Sequence, residues 1–319
     1  MDNSNLVTVI CTCYNQEPFV INALDSVLFQ KHGEIELIII DNGSIDGSQE
    51  TIRQWLSEND KDKKIISIFH KERKNYCEVF NEALWVSKGK YLADLAADDY
   101  FYPNHLKEAV QKLENSDAGV YFCNAMLQKD TGFSSPFYPT NEKGNSRYNV
   151  RDGDVYSLLV KKYAICTATL VFVTELLKKE GVYDEKLTYE DFDILIRMSR
   201  KYPFIYHDSV GVLKRILSTS FASGQYRYKN SQMLPSTYKV CEKIHELNRS
   251  AEEREALRFR ILHEAKHALF SANFEIAEKF MELAKKAGCT GIKYLLFRIW
   301  SKRHFDLSTF YFLWKGNKG

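Results

Sequence analysis

Proline is scarce here, six residues in 319, and glycine is modest at 15, which excludes a collagen-like or low-complexity chain. Long apolar runs are missing too. No stretch approaches the roughly 18 uninterrupted apolar residues of a membrane-crossing helix, so a transmembrane protein is not expected. Met1 to Asn5 lack the basic and apolar regions of a secretory leader, which predicts a cytoplasmic protein. The seven cysteines are odd in number and contain no Cys-x-x-Cys pair. Cys11, Cys13, Cys123 and Cys166 sit in apolar runs, so buried reduced thiols are expected rather than a thiolate zinc site. Charge of one sign is also lacking. The net is +2 with 45% hydrophobic residues, which rules out disorder of the whole chain.

Two common nucleotide motifs are absent. Gly43 to Ser48 has no lysine of a phosphate-cradling loop, and no Gly-x-Gly-x-x-Gly occurs, so nucleotide hydrolysis and dinucleotide binding are disfavoured. His32, His70, His105 and His207 show no metal-ligand spacing and read as surface or satisfied histidines. The basic run Lys71-Glu72-Arg73-Lys74 lacks interleaved aromatics, and no nucleic-acid partner is expected.

What is present is alternation. Short β-branched runs at 6–11, 36–40, 64–70, 90–95 and 118–124 read as strands. Between them, helical spacing covers 19–31, 46–58 with Asp46 as N-cap, 77–87 ended by Gly89, and 103–114 opened by Pro103. Such units predict an α/β fold with a mostly parallel sheet flanked by helices. From about Met233 the texture becomes helical, with a hairpin turning near Ser271 to Asn273. Charge follows the same division. Residues 1–230 hold 28 Lys and Arg against 32 Asp and Glu, and residues 231–319 hold 16 against 10.

In parallel α/β sheets, ligands bind beyond the carboxyl ends of the strands. Three polar clusters fall there: Thr12-Cys13-Tyr14-Asn15, Asp41-Asn42-Gly43-Ser44, and Ala97-Asp98-Asp99. An acidic pair beside polar groups from neighbouring strands suits Mg²⁺ or Mn²⁺ and a nucleotide diphosphate, because these cations take hard oxygen ligands. Asp98 and Asp99 as mere caps of the following helix is the competing reading.

In order and spacing, Val9 to Asn15, Ala23 to Gln30, Glu36 to Ser48, Gly89 to Leu92, Leu95 to Asp99 with Pro103, and Gly181 to Glu185 leading to Glu190-Asp191 resemble glycosyltransferase family 2. The resemblance covers roughly residues 6–220 and implies the GT-A fold with a helical C-terminal extension. Residues 1–228 would be the catalytic domain, with 6–125 binding a nucleotide sugar and 126–228 on the acceptor side, and residues 229–319 would be the helical domain. By this resemblance Thr12, Tyr14 and Asn15 line the nucleotide pocket, Asp41 and Asn42 face the base, Asp99 takes the metal, and Asp98 takes the ribose or joins the metal shell. Asp191 is the implied catalytic base, with Glu190 beside it as a further candidate, acids at a helix N-terminus being the competing reading; Lys214-Arg215 lie where the family has a mobile lid and are candidates to reach the diphosphate, a solvated surface pair being the alternative. Asn42 replaces the usual aspartate, and Ala96 replaces the first of three metal-motif acids.

The implied reaction moves a sugar from a nucleoside diphosphate, with UDP expected, to a glycan or lipid-linked acceptor with inversion, in bacterial surface polysaccharide synthesis. A catalytically inactive nucleotide-sugar or glycan-binding protein on the same fold is the alternative. The last segment adds one more expectation. Aromatics at 294, 297, 300, 305, 310, 311, 312 and 314 stand among Lys293, Arg298, Lys302, Arg303, Lys315 and Lys318, with Asp306 the one acid between Gly291 and Gly319. That composition suits peripheral contact with an anionic membrane at the inner face of the cell membrane; internal packing or a homo-oligomer contact is the alternative.

Overall fold

The computed structural model describes residues 5–218 and 220–316. Two compact units emerge. The first comprises Met1–Val155, Ile165–Lys186 and Arg197–Leu217, and the second Tyr156–Ala164, Leu187–Ile196 and Ser218–Gly319. Tyr156–Ala164, Leu187–Ile196 and residues 218–228, all within the first 228 residues, thus cluster with the C-terminal helices.

The first unit holds strands β1 (Val7–Cys13), β2 (Ile35–Asp41), β3 (Ile66–Phe69), β4 (Tyr91–Ala96), β5 (Tyr100–Phe101), β6 (Val120–Lys129), β7 (Ser134–Pro136), β8 (Val171–Val173) and β9 (Phe204–Ile216). They form one sheet in the order β3-β2-β1-β4-β8-β6-β9-β5, with β7 paired to β6. β3, β2, β1 and β4 run parallel, as their intervening helices require. Beyond β4 the sheet becomes mixed. β8 is antiparallel to both β4 and β6, β9 is parallel to β6, and β5 closes the far edge antiparallel to β9.

Helices α1 (Glu17–Leu28), α2 (Ser48–Asn59), α3 (Tyr76–Val86) and α4 (His105–Glu114) follow the first strands. Every residue of β1 is buried, the signature of a strand covered on both faces. Alternate residues Val7, Val9, Cys11 and Cys13 join α1, α2 and α4 in one core, while α3 packs against β1 and β2 separately from that cluster. All seven cysteines are buried and free. Pro103 does not begin α4: Asn104 is its N-cap, and the Pro103 carbonyl instead accepts from the Lys31 N–H. Gly89 lies past the α3 cap at Ser87, where a Cβ would stand 2.5 Å from the Thr8 nitrogen. His105 is fully buried against Cys123 and Gly211, and burial pushes its imidazole down to about 3, so it is neutral at pH 7.

The second unit is helical: α5 (Tyr156–Lys161), the start of α7 (Asp191–Ser199), α8 (Leu234–Leu247), α9 (Ala251–Phe270), α10 (Phe274–Lys286), α11 (Ile292–Arg303) and α12 (Ser308–Gly316), with α6 (Thr174–Lys179) belonging to the first unit. A capping box of Ser250 and Glu253 opens α9. The hairpin of α9 and α10 turns at Ser271–Asn273, with Ala272 at φ 57°. Ala265 and Ala268 on α9, and Ala277 and Ala284 on α10, are fully buried. At the centre, Arg260 is 1% and Glu264 0% exposed; Arg260 Nη1 meets Glu264 Oε1 at 3.1 Å. Arg260 also donates to the Val160 and Leu159 carbonyls and lies over the rings of Tyr163 and Phe192, while Tyr226 donates to Glu264 Oε2.

Candidate active site at the strand ends

The loops after β1 and β2 are tied to each other by short polar side chains. The N–H of Asn15, at φ 54°, donates to Ser44 Oγ, and Asn15 Oδ1 accepts from the Ile45 N–H at 2.8 Å. The N–H groups of Gln16 and Glu17 reach Ser48 Oγ and Asp46 Oδ2, and Glu17 Oε2 accepts from Gly47. These loops have few ladder partners, so side chains satisfy their backbone. Asn15, expected in the nucleotide pocket, has its side-chain oxygen in this mesh. Asp46 does not cap α2 directly: Gly47 occupies that place, and Asp46 Oδ1 takes the Ser48 N–H.

Asp41 ends β2 with 0% exposure. Its Oδ1 accepts from the Ser44 N–H at 2.9 Å and from Gln49 Nε2 at 2.7 Å, while its Oδ2 has no hydrogen-bond partner among the described residues. Register places Thr12 opposite Ile40, one step away, and its buried Oγ1 is unpartnered too. Two unmatched polar atoms at neighbouring strand ends are costly unless a ligand engages them. Asn42 holds the backbone of Lys74 in both directions, with Nδ2 donating to the Lys74 carbonyl at 3.1 Å and Oδ1 accepting its N–H at 2.9 Å. Gly43, at φ 74°, completes this seam; a Cβ there would lie 2.4 Å from the Glu72 carbonyl carbon. The seam brings the Arg73 guanidinium over the Tyr14 ring, 4.6 Å from its centroid.

The acidic pair follows β4. The two-residue ladder pairing Tyr100 with Leu213 carries the preceding acids toward Lys214 and Arg215 at the end of β9. Asp99 Oδ1 accepts the Arg215 N–H at 2.8 Å. Arg215 Nη1 donates to the Asp98 carbonyl, and its guanidinium lies over Phe19 at 4.8 Å and Tyr100 at 5.8 Å. Asp98 is 9% and Asp99 4% exposed. Burial pushes both carboxyl groups above the usual range, Lys214 and Arg215 pull them back, and Asp98 raises Asp99 further. Two adjacent carboxylates resisting ionisation form a site that a cation would relieve. The donor set is hard oxygen, which fits Mg²⁺ or Mn²⁺. Among the described residues no group of three His, Cys, Asp or Glu is placed to hold a metal. The carboxylates alone would therefore be a thin shell for such a cation.

Asp191 and Glu190 belong to the second unit, at the start of α7. Asp191 is half-buried and its Oδ1 takes the Phe192 N–H at 2.8 Å, while its charge acts on Tyr163 and Tyr189. The Glu190 carbonyl accepts from Ile194. Asp193 points elsewhere: it is 1% exposed and pairs with Lys243 Nζ at 2.7 Å.

The residues that sequence reading missed are mostly those that position others. Ser44, Ser48 and Gln49 shape the Asp41 loop, and two further buried asparagines repeat the Asn42 device. Asn81 clips both backbone groups of Tyr183, within the Gly181–Glu185 segment, and Asn124 does the same to Tyr138. The turn-forming composition of 41–48 is the signal that could have found the first group.

Comparison with known proteins shows the family and the fold. The profile of "Glycosyl transferase family 2" matches residues 8–172, just over half of the chain. The chain belongs to glycosyltransferase family 2. A protein of Rickettsia typhi named an uncharacterized glycosyltransferase is 31% identical over 217 residues, covering 67% of this chain and 64% of that protein. The chain thus spans just under two thirds of the length of that relative. The Escherichia coli protein WfaP, named a UDP-Glc:alpha-D-GlcNAc-diphosphoundecaprenol beta-1,3-glucosyltransferase, is 32% identical over 139 residues, 41% of this chain and 52% of that protein. Among solved structures, residues 1–349 of S. aureus TarS with UDP-GlcNAc superpose with a TM-score of 0.70 at 14% identity, covering 96% of this chain and 91% of that one. The mannosyltransferase PcManGT of Pyrobaculum calidifontis, with GDP-Man and Mn²⁺, gives 0.56 at 16% identity, covering 93% and 83%. These two establish the GT-A fold.

Proposed function

We propose that this member of family 2 transfers a sugar from a UDP-sugar to a lipid-linked glycan acceptor with inversion. The observation that carries it is the buried pair Asp98–Asp99 at the end of β4, beside strand ends whose polar atoms await partners. Asp41 Oδ2, an acceptor without a donor among the described residues, suits the N3–H of uracil. The bound UDP-GlcNAc of TarS and the UDP-Glc of the WfaP name support this choice of base. The diphosphoundecaprenol in the WfaP name supports a lipid-linked acceptor, and with it a role in surface polysaccharide synthesis.

Asp99, with Asp98, would hold Mn²⁺ or Mg²⁺, whose chemistry is to neutralise the departing diphosphate. The Arg215 N–H fixes the Asp99 carboxylate, and Asn42 fixes the 70–75 loop that carries Arg73 over Tyr14. Asp191 takes the proton from the acceptor hydroxyl as that oxygen attacks the anomeric carbon and the diphosphate leaves from the opposite face. A free hydroxyl is too weak a nucleophile without such a base.

Asp191→Asn tests the assignment. Transfer from UDP-sugars to a diphosphate-lipid-linked acceptor should fall about 10²- to 10⁴-fold, with UDP affinity unchanged. Undiminished transfer would remove Asp191 as the base. The thin metal shell favours one other reading, a non-catalytic nucleotide-sugar-binding protein. That reading wins if the unmutated chain shows neither transfer nor donor hydrolysis with any UDP- or GDP-sugar plus Mn²⁺.

A further inference from the structure

The outer face of α11 and α12 is built the wrong way round for a soluble helical domain. Ile292, Leu295, Leu296 and Ile299 recur at three- and four-residue spacing, which is one face of a helix. That face is turned outward: the four are 71, 49, 57 and 52% exposed. On α12, Phe310 and Leu313 are 72 and 65% exposed. The aromatics that dominate the sequence of this segment divide. Trp300 packs edge-on to Phe270, and Tyr311 is buried against Phe270 with its hydroxyl 2.8 Å from His267 Nδ1. Lys318 and the side chains of Trp314 and Lys315 lie outside the described residues, as do Met1–Ser4. Phe305 and Phe312 are 62 and 38% exposed as well, so the free apolar surface is aromatic as well as aliphatic, with aliphatic side chains supplying the α11 stripe.

Charge frames the stripe. Lys293, Arg298, Lys302 and Arg303 are exposed on α11, and the helix carries no acid. The nearby carboxylate of Asp306 is committed: Oδ1 accepts from the Ser308 N–H and hydroxyl at the start of α12, and Oδ2 accepts from Tyr228. A symmetric pairing of two copies through this face would set these cations against their own equivalents. An anionic surface takes the same cations favourably, and their alkyl stems can run along the stripe while the heads reach phosphate. At 12 residues, α11 is about 18 Å long, too short to cross a bilayer core of about 30 Å but suited to lie in its headgroup layer.

We propose that the outer face of α11 and α12 docks this chain on an anionic lipid surface, with Ile292, Leu295, Leu296 and Ile299 seated at the acyl boundary and the α11 cations on lipid phosphates. The proposal is compatible with a lipid-linked acceptor but rests on no step of sugar transfer.

Co-sedimentation of the full chain with vesicles of phosphatidylcholine, with and without phosphatidylglycerol, tests it. The chain should pellet with the phosphatidylglycerol vesicles and be released by salt. Leu295→Gln with Leu296→Gln and Ile299→Gln should weaken binding about tenfold or more. Lys302→Gln with Arg303→Gln should abolish most of the preference for phosphatidylglycerol. All variants should keep the wild-type melting temperature, because the substituted side chains are exposed. Equal binding by wild type and the triple glutamine variant overturns the proposal. So does a failure of the wild type to bind phosphatidylglycerol vesicles at low salt, or a dimer that the same substitutions dissociate without any vesicle binding. A chain that binds vesicles yet transfers no sugar upholds this proposal and removes the enzymatic one.

Discussion

Both units of the molecule bury charge, and they do so in opposite ways. At the strand ends, Asp98 and Asp99 put two carboxylates side by side under burial, and Asp41 leaves one oxygen without a donor. In the helical unit, Arg260 and Glu264 are buried as deeply, but each answers the other, and Val160, Leu159 and Tyr226 bond to them as well. The first arrangement is answered only in part by Lys214 and Arg215. The second is balanced by the chain alone. Buried charge by itself therefore says little about function, and the sign and completeness of its surroundings say a great deal.

The contrast can be broken by single substitutions. Glu264→Leu strands the Arg260 guanidinium in the helical core and should cost about 3–5 kcal/mol in urea unfolding. Adding Arg260→Met should recover most of that loss. Asp99→Asn, by contrast, removes a repulsive charge while keeping an oxygen for the Arg215 N–H, so the unliganded chain should lose no stability. Similar losses from Glu264→Leu and Asp99→Asn would erase the distinction between the two regions.

His105 sharpens it, as a buried titratable group with neither a charged partner nor a place at the strand-end site. Its folded value of about 3 lies below the roughly 6.5 of an unfolded histidine. The stability it contributes is therefore complete above pH 6.5 and is lost as the pH falls toward 3. Between pH 7 and pH 5 this group alone should remove about 2 kcal/mol, and His105→Asn should flatten that part of the pH profile. An unchanged profile would show that the imidazole is not the titrating group.

Asn42→Asp is the smallest change. It restores the residue usual in the family, yet here it turns a donor into an oxygen facing the Lys74 carbonyl. A loss of about 1–3 kcal/mol is expected, with weaker UDP binding because the 70–75 loop is released. A gain in either would mean that the Asn42–Lys74 clip is incidental.

The sequence made β1, β2 and β4 and the acids at their ends readable because parallel strands buried on both faces are continuous apolar runs, and polar residues just beyond them stand out; β3, at the sheet edge, was readable from its β-branched run alone. In the mixed half, only the run at 118–124, which forms β6, was readable in the same way. β8 has three residues and β5 two, too short for any period to register. Irregular segments there are held by Asn81 and Asn124 clasping distant peptides, and no local pattern announces such a clasp. The placement of Leu187–Ile196 with the helical unit was hidden for the same reason, since Thr188 and Tyr189 bond to Ser236 and Thr237, 48 residues on. On α11 the helical spacing was visible, but the face it would turn to solvent was not, because periodicity gives a stripe without saying what covers it.

The central claim is that Asp98 and Asp99 form an incomplete cation site that a nucleotide diphosphate completes. Thermal melting of the full chain with UDP, with Mn²⁺, and with both tests it directly. The account predicts a large stabilisation only when both are present, and its loss in Asp99→Asn with no drop in the unliganded melting temperature. UDP stabilising the chain equally with and without Mn²⁺, or Asp99→Asn keeping the full effect, would contradict it.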